Sequence, residues 1–377
     1  MKRPFHPAVC RSVRLPEDRR VLAVSDIHGN LEYLQGVLAE AAFSPDDVLV
    51  VVGDLMSKGL RSLDTLRYVM ELSRTHTVYT VAGNCDDVLL RDFTPEMIFH
   101  ACAQWGEHMP LGQMQRELGF PLSGPEDVPA LLRAVEEHFA PELAFVDQMA
   151  TILESEHYLF VHGGVPRPAD FQGLDAWSCM KNDDFLSQGV SFPKWCVVGH
   201  WPTTLYWEGL LCHEPYFVPE RKIASIDGAC VLKVEGQLNA LALPPGGEGP
   251  FRWYRYDALP KARALDGQRA SRVYRSFKWT DRWVEPIREE GGCVLCRHRS
   301  DGELYWIPSV RLWREGADVC AMDSTDYRLE VAPGDVLSLV AVTGRGAFAK
   351  KDGVVGWYAG GLEPLADEIC APPGRKG

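Results

Sequence analysis

The residue types that could do chemistry in this chain stand at the ends of short apolar runs. They comprise two carboxylates, one amide and three imidazoles: Asp26, His28, Asp54, Asn84, His162 and His200. Mixed oxygen and imidazole ligands suit Mn, Fe or Zn better than Mg or Ca, which prefer oxygen alone. The six residues therefore predict a metal site, provided that the chain brings these ends together.

The runs themselves have the form of buried β-strands. They cover residues 21–26, 48–54, 78–84, 158–162 and 195–200. Each is short, apolar on both faces and rich in β-branched residues, as expected of strands buried between helical layers. In an open α/β sheet, ligands bind beyond the carboxyl ends of the strands. We therefore expect the six side chains to meet at one rim.

Helical patterns separate the first runs. Residues 31–42 and 63–72 carry apolar side chains at helical spacing, so the order β-α-β-α-β predicts an α/β core. Residues about 91–150, rich in Met, Gln, Glu and Leu, interrupt this alternation and are predicted to be a helical insertion over one edge of the sheet. Two or three strands are expected between residues 222 and 243.

The character of the chain changes after a Pro- and Gly-rich stretch at 244–250. This stretch predicts a linker between a catalytic domain of residues 1–243 and an accessory domain of residues 251–377. The accessory domain carries six tryptophans on short alternating runs and is predicted to be a small all-β module. Its residues 334–362 resemble the end of a bacterial SH3-like barrel, which leaves open a protein partner for this module.

Composition limits the possible functions. The formal net charge is −13, with 19 Lys and Arg against 34 Asp and Glu in residues 1–250, so we expect no nucleic-acid partner. No run of 18 apolar residues predicts a membrane span, and the basic N-terminus lacks the apolar core of a signal peptide. We expect a cytoplasmic protein with no membrane partner, whose eleven cysteines are mostly buried thiols.

Taken together, the motifs resemble those of the calcineurin-like metallophosphoesterase superfamily. They read Asp-Ile-His-Gly-Asn from Asp26, Gly-Asp at 53–54, Gly-Asn at 83–84, His-Gly-Gly at 162–164 and Gly-His at 199–200. The His-Gly-Gly motif and Ile-Asp-Gly at 226–228 look most like the serine/threonine phosphatase (PPP) branch and its bacterial relatives. The resemblance spans residues 20–243.

This resemblance implies a four-layer α-β-β-α sandwich with a binuclear metal site. By that likeness Asp26 and His28 hold a first ion, Asp54 bridges, and Asn84, His162 and His200 hold a second. Two divalent ions, expected to be Mn²⁺ with Fe or Zn as alternatives, lower the pKa of a bridging water and clamp the phosphoryl oxygens of an in-line attack.

The chain departs from the PPP pattern where that pattern supplies a general acid. A histidine protonates the leaving oxygen in the family and an aspartate orients it, but Cys85 and Ser57 stand at these two positions. An arginine of the pattern is replaced by Lys58, which exchanges a bidentate phosphate fork for a point charge. Cys85, Asp86 and Lys58 are therefore the candidate catalytic residues. An enzyme without this acid should favour leaving groups that depart unprotonated.

Three functions follow from the sequence. The leading hypothesis is a metal-dependent phosphomonoesterase that acts on a phosphoprotein or a small phosphorylated molecule. The second is a phosphodiesterase or dinucleoside-polyphosphate hydrolase, since Gly-Asn-Cys-Asp at 83–86 also occurs in phosphodiesterase branches. Those branches usually end in Gly-His-x-His, whereas this chain has Pro202 at the last position. The third is a non-catalytic scaffold whose accessory module does the recognition.

Overall fold

The computed structural model describes residues 5–166 and 173–365. Strands and helices alternate between residues 21 and 81, and the rest of the first 257 residues adds a group of helices and further strands. The strands in this part are β1 (Cys10–Ser12), β2 (Val21–Val24), β3 (Val48–Val52), β4 (Thr77–Val81), β5 (Ile152–Glu154), β6 (Tyr158–Val161), β7 (Trp195–Val198), β8 (Leu211–Cys212), β9 (Tyr216–Val218), β10 (Ile223–Ser225), β11 (Leu238–Leu243) and β12 (Arg252–Tyr256). The predicted α/β core is confirmed.

Six of the seven α-helices in the described residues lie in the segments predicted to be helical, whereas the short helix at Ala176–Met180 was not predicted. The α-helices are α1 (Leu31–Glu40), α2 (Ser62–Thr75), α3 (Pro95–Trp105), α4 (Pro110–Glu117), α5 (Val128–His138), α6 (Ala140–Asp147) and α7 (Ala176–Met180). Helices α3 to α6 occupy the stretch in which a helical insertion is predicted. Short 3-10 helices lie at Gly106–His108, Pro125–Asp127, Phe185–Gln188, Thr203–Leu205, Pro219–Arg221, Pro245–Gly247, Trp279–Asp281 and Ser309–Arg311.

Two sheets form the centre of this part of the chain. The first has the order β12-β11-β2-β3-β4, with β2, β3 and β4 parallel. The second has the order β1-β5-β6-β7-β10-β9, with β6, β7 and β10 parallel. Parallel neighbours end at the same edge of a sheet, so each sheet presents one rim of carboxyl ends.

Alternate residues of the strands serve two different cores. Val21 and Ala23 of β2 pack with Phe160 and Val197 of the second sheet, which places the two sheets face to face. Leu22 and Val24 point the other way and pack with helices α1 to α6. The outer face of the second sheet is covered by α7 and by the 3-10 helix at Phe185–Gln188. The layers are therefore α-β-β-α, as the family resemblance implies, with a thin fourth layer.

The chain forms two compact units whose boundary differs from the predicted linker. The first unit contains residues up to 206 together with 213–257, and the second contains 207–212 and residues from 258 onward. Residues 244–250 connect β11 to β12, and these two strands pair antiparallel within the first sheet. The Pro- and Gly-rich stretch is thus a connection inside the first unit, because β12 completes an edge of its sheet.

The second unit is all-β among the residues that the structure describes. Besides β8 it contains β13 (Lys261–Ala264), β14 (Ser276–Phe277), β15 (Trp283–Glu290), β16 (Cys293–His298), β17 (Leu304–Pro308), β18 (Leu312–Glu315), β19 (Asp318–Ala321), β20 (Ser324–Thr325), β21 (Val336–Thr343), β22 (Gly346–Lys351), β23 (Val354–Tyr358) and β24 (Leu362–Pro364). Its sheets have the orders β24-β13-β21-β22-β23-β8, β17-β16-β15-β19-β18 and β14-β20. The described helices of the chain are too short or too polar to cross a membrane.

Candidate metal centre

The six predicted ligands follow the parallel strands of the two sheets. Asp26, Asp54 and Asn84 come after β2, β3 and β4 of the first sheet, and His162 and His200 come after β6 and β7 of the second. Because the sheets pack face to face, the carboxyl ends of both contribute to one site. His28 enters it from the turn that follows Asp26.

The backbone at these strand ends turns sharply into the left-handed region. Its φ is 55° at Asp26, 52° at His28, 51° at Asp54 and 66° at His200. Residues other than glycine rarely adopt this conformation, and such strain clusters at functional sites. Backbone hydrogen bonds hold the turns in place, since the Asp26 amide donates to the Gly53 carbonyl at 3.1 Å and the His28 amide to the Asp54 carbonyl at 2.9 Å.

Asp54 lies at the centre of the cluster. Its Oδ2 is 3.7 Å from Nε2 of His28, and its Oδ1 is 3.3 Å from Nε2 of His162. Two groups of potential metal ligands share it: Asp26, Asp54 and His162 form one, and His28, Asp54 and Cys85 form the other. A carboxylate with one oxygen toward each group has the position that a bridge between two cations requires.

Backbone carbonyls orient two of the imidazoles. Nδ1 of His162 lies 3.0 Å from the Val52 carbonyl, and Nδ1 of His28 lies 3.4 Å from the Met56 carbonyl. A ring N–H that donates to a carbonyl leaves the lone pair on the other nitrogen, Nε2, which in both rings faces the carboxylates.

Two buried polar atoms in the centre have no hydrogen-bond partner among the described residues. They are Nε2 of His162 and Oδ1 of Asn84. Unsatisfied buried polar atoms are costly, and here both belong to predicted ligands. The Asp54 carboxylate, 3.3 Å from Nε2, favours a proton on the His162 ring, and a divalent cation could take the place of that proton. An imidazole nitrogen, an amide oxygen and buried carboxylates fit such a cation, so the residues present match the metal that the motifs imply.

The charges of the centre are unbalanced. Burial and the neighbouring Asp54 carboxylate raise the pKa of Asp26, despite an opposing effect of His162. Burial lowers the pKa of His162, but Asp54 and Asp26 outweigh it and raise that pKa to about 10. Burial and the Lys58 ammonium lower the pKa of His28 to about 3. The carboxylates therefore attract positive charge that the surrounding histidines supply only in part.

Glycines beside the ligands leave room for close approach. A Cβ built on Gly83 would lie 2.1 Å from Oδ1 of Asp54, and one on Gly199 would lie 2.3 Å from Oδ2 of Asp26. Real Cβ atoms do not come this near, so any side chain at either position would displace a ligand.

His200 is placed differently from the other histidines. Its backbone amide donates to Oδ2 of Asp26 at 2.9 Å, and its ring centre lies 5.2 Å from that of His162. Its Nε2, however, is 2.8 Å from Oδ1 of Asp183, a residue that the motifs did not indicate. His200 thus lies beside the cluster with one ring nitrogen already engaged.

The three candidate catalytic residues have distinct positions. Nζ of Lys58 is 3.0 Å from Nε2 of His28, so its ammonium lies at the centre itself. Cys85 lies beside His28 and Asp54, and burial with the Asp54 charge raises the pKa of its thiol well above the usual range. Asp86 accepts hydrogen bonds from the amides of Met56 and Gly83. Both Asp86 oxygens are thus committed to the loops, and we assign this carboxylate a positioning role.

Two further features escaped the sequence motifs. Lys181 and Asp183 reach His200 from a loop that carries no motif, so spacing along the chain gave no signal for them. Asp227 was noted only as part of a motif, but its carboxylate is fully buried, and burial with the Asp26 charge raises its pKa. Its Oδ1 accepts from the Ala229 amide, and its Oδ2 has no partner among the described residues.

Comparison with known proteins agrees with this geometry. Residues 19–223 match the profile of the calcineurin-like phosphoesterases, which is more than half of the chain. The chain belongs to this family. The ligand set described above lies within the part of the chain that matches the family.

Among curated proteins, the phosphoesterase is 42% identical over 71 residues to the symmetrical bis(5'-nucleosyl)-tetraphosphatase of Salmonella typhimurium. The match covers 19% of this chain and 24% of the relative, so it spans about a quarter of the relative's length. The Salmonella typhi protein of the same name matches equally well.

Solved structures show similarity at low identity. A metallophosphoesterase from Sphaerobacter thermophilus is 17% identical with a TM-score of 0.36, over 63% of this chain and 88% of that one. A serine/threonine phosphatase from Saccharomyces cerevisiae is 12% identical with a TM-score of 0.39, over 67% of this chain and 84% of that one.

Proposed function

We propose that this phosphoesterase uses two divalent ions, preferably Mn²⁺, to hydrolyse phosphate bonds whose leaving group departs without protonation. The phosphoanhydride of a dinucleoside polyphosphate is the substrate class that we favour. The leaving group in that bond is a phosphoryl oxygen, which is stable as an anion near neutral pH. This is the second of the enzyme hypotheses that the sequence leaves open.

The proposal assigns the ligands as the resemblance implies, which pairs Asp26 with His28 and not with His162 as in the ligand groups described above. Asp26 and His28 would hold one ion, Asn84, His162 and His200 the other, and Asp54 would contact both. When bound, the pair of ions activates a water molecule and neutralises charge on the phosphoryl oxygens. The chain's own residues orient the ligands through backbone carbonyls. The glycines leave room for the ligands, and Lys58 supplies a positive charge.

The absence of a general-acid pair carries the proposal. The Ser57 hydroxyl donates to the Cys85 carbonyl at 2.9 Å, which brings together the two positions where the family has its aspartate and histidine. Neither residue replaces that pair, because Ser57 is engaged with backbone and the Cys85 thiol has a raised pKa. A positioned acid typically contributes 10²–10⁴-fold, and a substrate with a poor leaving group forgoes that factor here.

Lys58 supports an anionic substrate. Its ammonium is close to His28, and the Asp54 and Asp26 charges help to raise its pKa, although the residue as a whole is exposed to solvent. As a point charge with three donors it can bind a phosphate oxygen without a fixed geometry. The local similarity to the two Salmonella tetraphosphatases is consistent with a polyphosphate substrate.

A comparison of four substrates tests the proposal. The Mn²⁺-loaded protein is assayed with diadenosine tetraphosphate, p-nitrophenyl phosphate, bis(p-nitrophenyl) phosphate and phosphoserine, with Asp54→Asn as the background control. We expect kcat/KM for the anhydride and the aryl monoester to exceed that for phosphoserine by about 10²-fold or more.

Each remaining outcome selects another function. Hydrolysis of phosphoserine at a rate comparable to the aryl ester would refute the proposal and support the phosphomonoesterase hypothesis. Turnover of the aryl diester alone would support a phosphodiesterase. No hydrolysis of any of the four, with less than one metal ion bound per chain, would support the scaffold hypothesis for this member of the family.

A further inference from the structure

We infer that Asp183 is a positioning residue, which fixes the ring of His200 so that Nδ1 faces the metal. None of the motifs named above contains this residue. The inference rests on His200 as a metal ligand, but not on the substrate that we propose. It concerns His200, whose ring is held differently from the rings of His28 and His162.

The contact geometry is that of a carboxylate that accepts a ring N–H. Oδ1 of Asp183 lies 2.8 Å from Nε2 of His200. The Lys181 ammonium contacts the same oxygen and lies 3.3 Å from Nε2. A lysine only donates hydrogen bonds. The Asp183 oxygen is therefore the acceptor for both the Lys181 ammonium and the His200 ring N–H. With its proton on Nε2, the His200 ring keeps its lone pair on Nδ1.

The three histidines of the centre are thus held through different ring nitrogens. His28 and His162 each direct Nδ1 to a backbone carbonyl and Nε2 to the carboxylates. His200 directs Nε2 away, to a side chain. Metal-bound histidines usually donate their second ring N–H to a carboxylate or a carbonyl, and the loss of that partner typically costs 10–100-fold in metal affinity. Of these three partners, Asp183 can be removed by substitution.

The loop that carries Asp183 is anchored beside a second ligand. The Gly163 amide, directly after His162, donates to the Cys179 carbonyl at 2.8 Å. A Cβ on Gly163 would lie 2.6 Å from the Met180 carbonyl oxygen, so the two segments are in close contact. The position of Asp183 relative to the centre is therefore set by packing, although its side chain is half exposed.

Metal titration of matched variants tests the inference without using a substrate. Asp183→Ala and Asp183→Asn are compared with Asp184→Ala, which removes a neighbouring carboxylate for which the structure shows no contact to His200. Binding of Mn²⁺ is followed by calorimetry and by metal analysis. We expect Asp183→Ala to weaken the binding of one of the two ions by about 10–100-fold.

The controls separate orientation from charge. Asp183→Asn keeps an acceptor oxygen but loses the charge, so its loss should be smaller than that of Asp183→Ala, and Asp184→Ala should bind both ions as the wild type does. In the Zn²⁺-loaded wild type, long-range ¹⁵N–¹H correlation spectra should show the His200 proton on Nε2. If Asp183→Ala proves unstable, Asp183→Asn and these spectra still decide the question.

Two results would overturn the inference. One is wild-type affinity for both ions in Asp183→Ala, and the other is a His200 proton on Nδ1 in the Zn²⁺-loaded protein. Because neither measurement uses a phosphate ester, failure of the proposed substrate class leaves both results unaffected.

Discussion

Strands β2 and β3 have buried carboxylates near both ends, but the two ends differ in how the charge is balanced. At the amino ends, Arg20 precedes β2 and Asp47 precedes β3, and they form a bidentate pair with N–O distances of 2.9 and 2.7 Å. At the carboxyl ends stand Asp26 and Asp54, both fully buried, and among the residues that the structure describes no ion pair joins either of them to an arginine.

The pKa values of Asp47 and Asp26 express this difference, whereas the pKa of Asp54 lies well below its usual range because His162 and His28 outweigh its burial. Burial would raise the pKa of Asp47, but hydrogen bonds from Arg20 and Ser44 outweigh it and lower that pKa. Burial raises the pKa of Asp26, and the Asp54 carboxylate raises it further. At the amino end, protein side chains therefore balance the buried carboxylate. At the carboxyl end, bound divalent cations would stabilise the buried carboxylates. Changes at the amino end should affect stability, and changes at the carboxyl end should affect metal binding and activity.

The largest effect is expected from Asp54→Asn. The substitution removes the charge that both ligand groups share, so activity should fall by at least about 10³-fold, more than the 10–100-fold typical of a partner outside the ligand set. Metal binding is measured by thermal unfolding with Mn²⁺ and with chelator. The wild type should gain about 2.7 kcal/mol at a metal concentration of 100 times Kd, and the variant much less.

Asp64→Asn is the matched control for this substitution. Asp64 is exposed on α2 and pairs only with Arg61 among the contacts that the structure shows, so its loss should change neither quantity. Near-normal turnover of Asp54→Asn with full metal content would show that Asp54 is not the carboxylate shared by both ions. The proposed difference between the two strand ends would then be wrong.

The next effect concerns the missing acid. The double substitution Cys85→His with Ser57→Asp restores the family's pair at two positions already in contact. It should speed hydrolysis of phosphoserine by up to about 10²–10⁴-fold and that of p-nitrophenyl phosphate much less. Cys85→Ala alone should change turnover of the aryl ester little. Equal gains on both esters would show that the pair acts through structure or metal binding.

A smaller effect is expected from Gly83→Ala. The new methyl group would meet Asp54 at 2.1 Å and displace it, so activity should fall about 10-fold or more, and overpacking should cost about 1–3 kcal/mol. Gly106→Ala is the control, because its Cβ would have its nearest neighbour at 3.8 Å. Unchanged metal affinity in Gly83→Ala would mean that this glycine does not hold the bridging carboxylate in place.

The sequence predicted the strands whose carboxyl ends carry the candidate ligands, because local patterns determine those strands, and the role of these residues as metal ligands stays a prediction. Asp26 and His28 stand two residues apart after a buried run, and their motif implies both the turn and the metal. The sequence could not predict Asp183, since a loop brings it to His200 and nothing in its neighbours marks it. The boundary near 250 was misplaced for a similar reason. Proline and glycine indicate a break in regular structure, but only pairing shows that β12 returns to the first sheet.

The smallest effect is expected at the amino end, from Asp47→Asn. Asp47 accepts two hydrogen bonds from Arg20 and one from the Ser44 amide at 2.8 Å, and an amide can accept fewer of them. The loss should be about 1.5–3 kcal/mol of unfolding free energy at pH 7, the range for hydrogen bonds to charged groups. Activity and metal affinity should stay unchanged, because this pair lies at the opposite end of the strands from the ligands.

The pH dependence of that loss has a defined sign. The folded pKa of Asp47 lies below its unfolded value of about 3.9, so its ionisation stabilises the protein above that pH and the contribution disappears as pH falls through the folded pKa. Urea unfolding of metal-free wild type and Asp47→Asn should therefore give a difference that is constant from pH 6 to 7 and shrinks below about pH 4. A difference that instead persists at low pH would show that Asp47 stabilises the sheet by packing rather than by charge. The Arg20–Asp47 ion pair would then not account for the stability of the amino end, and the contrast with the metal-binding end would be wrong.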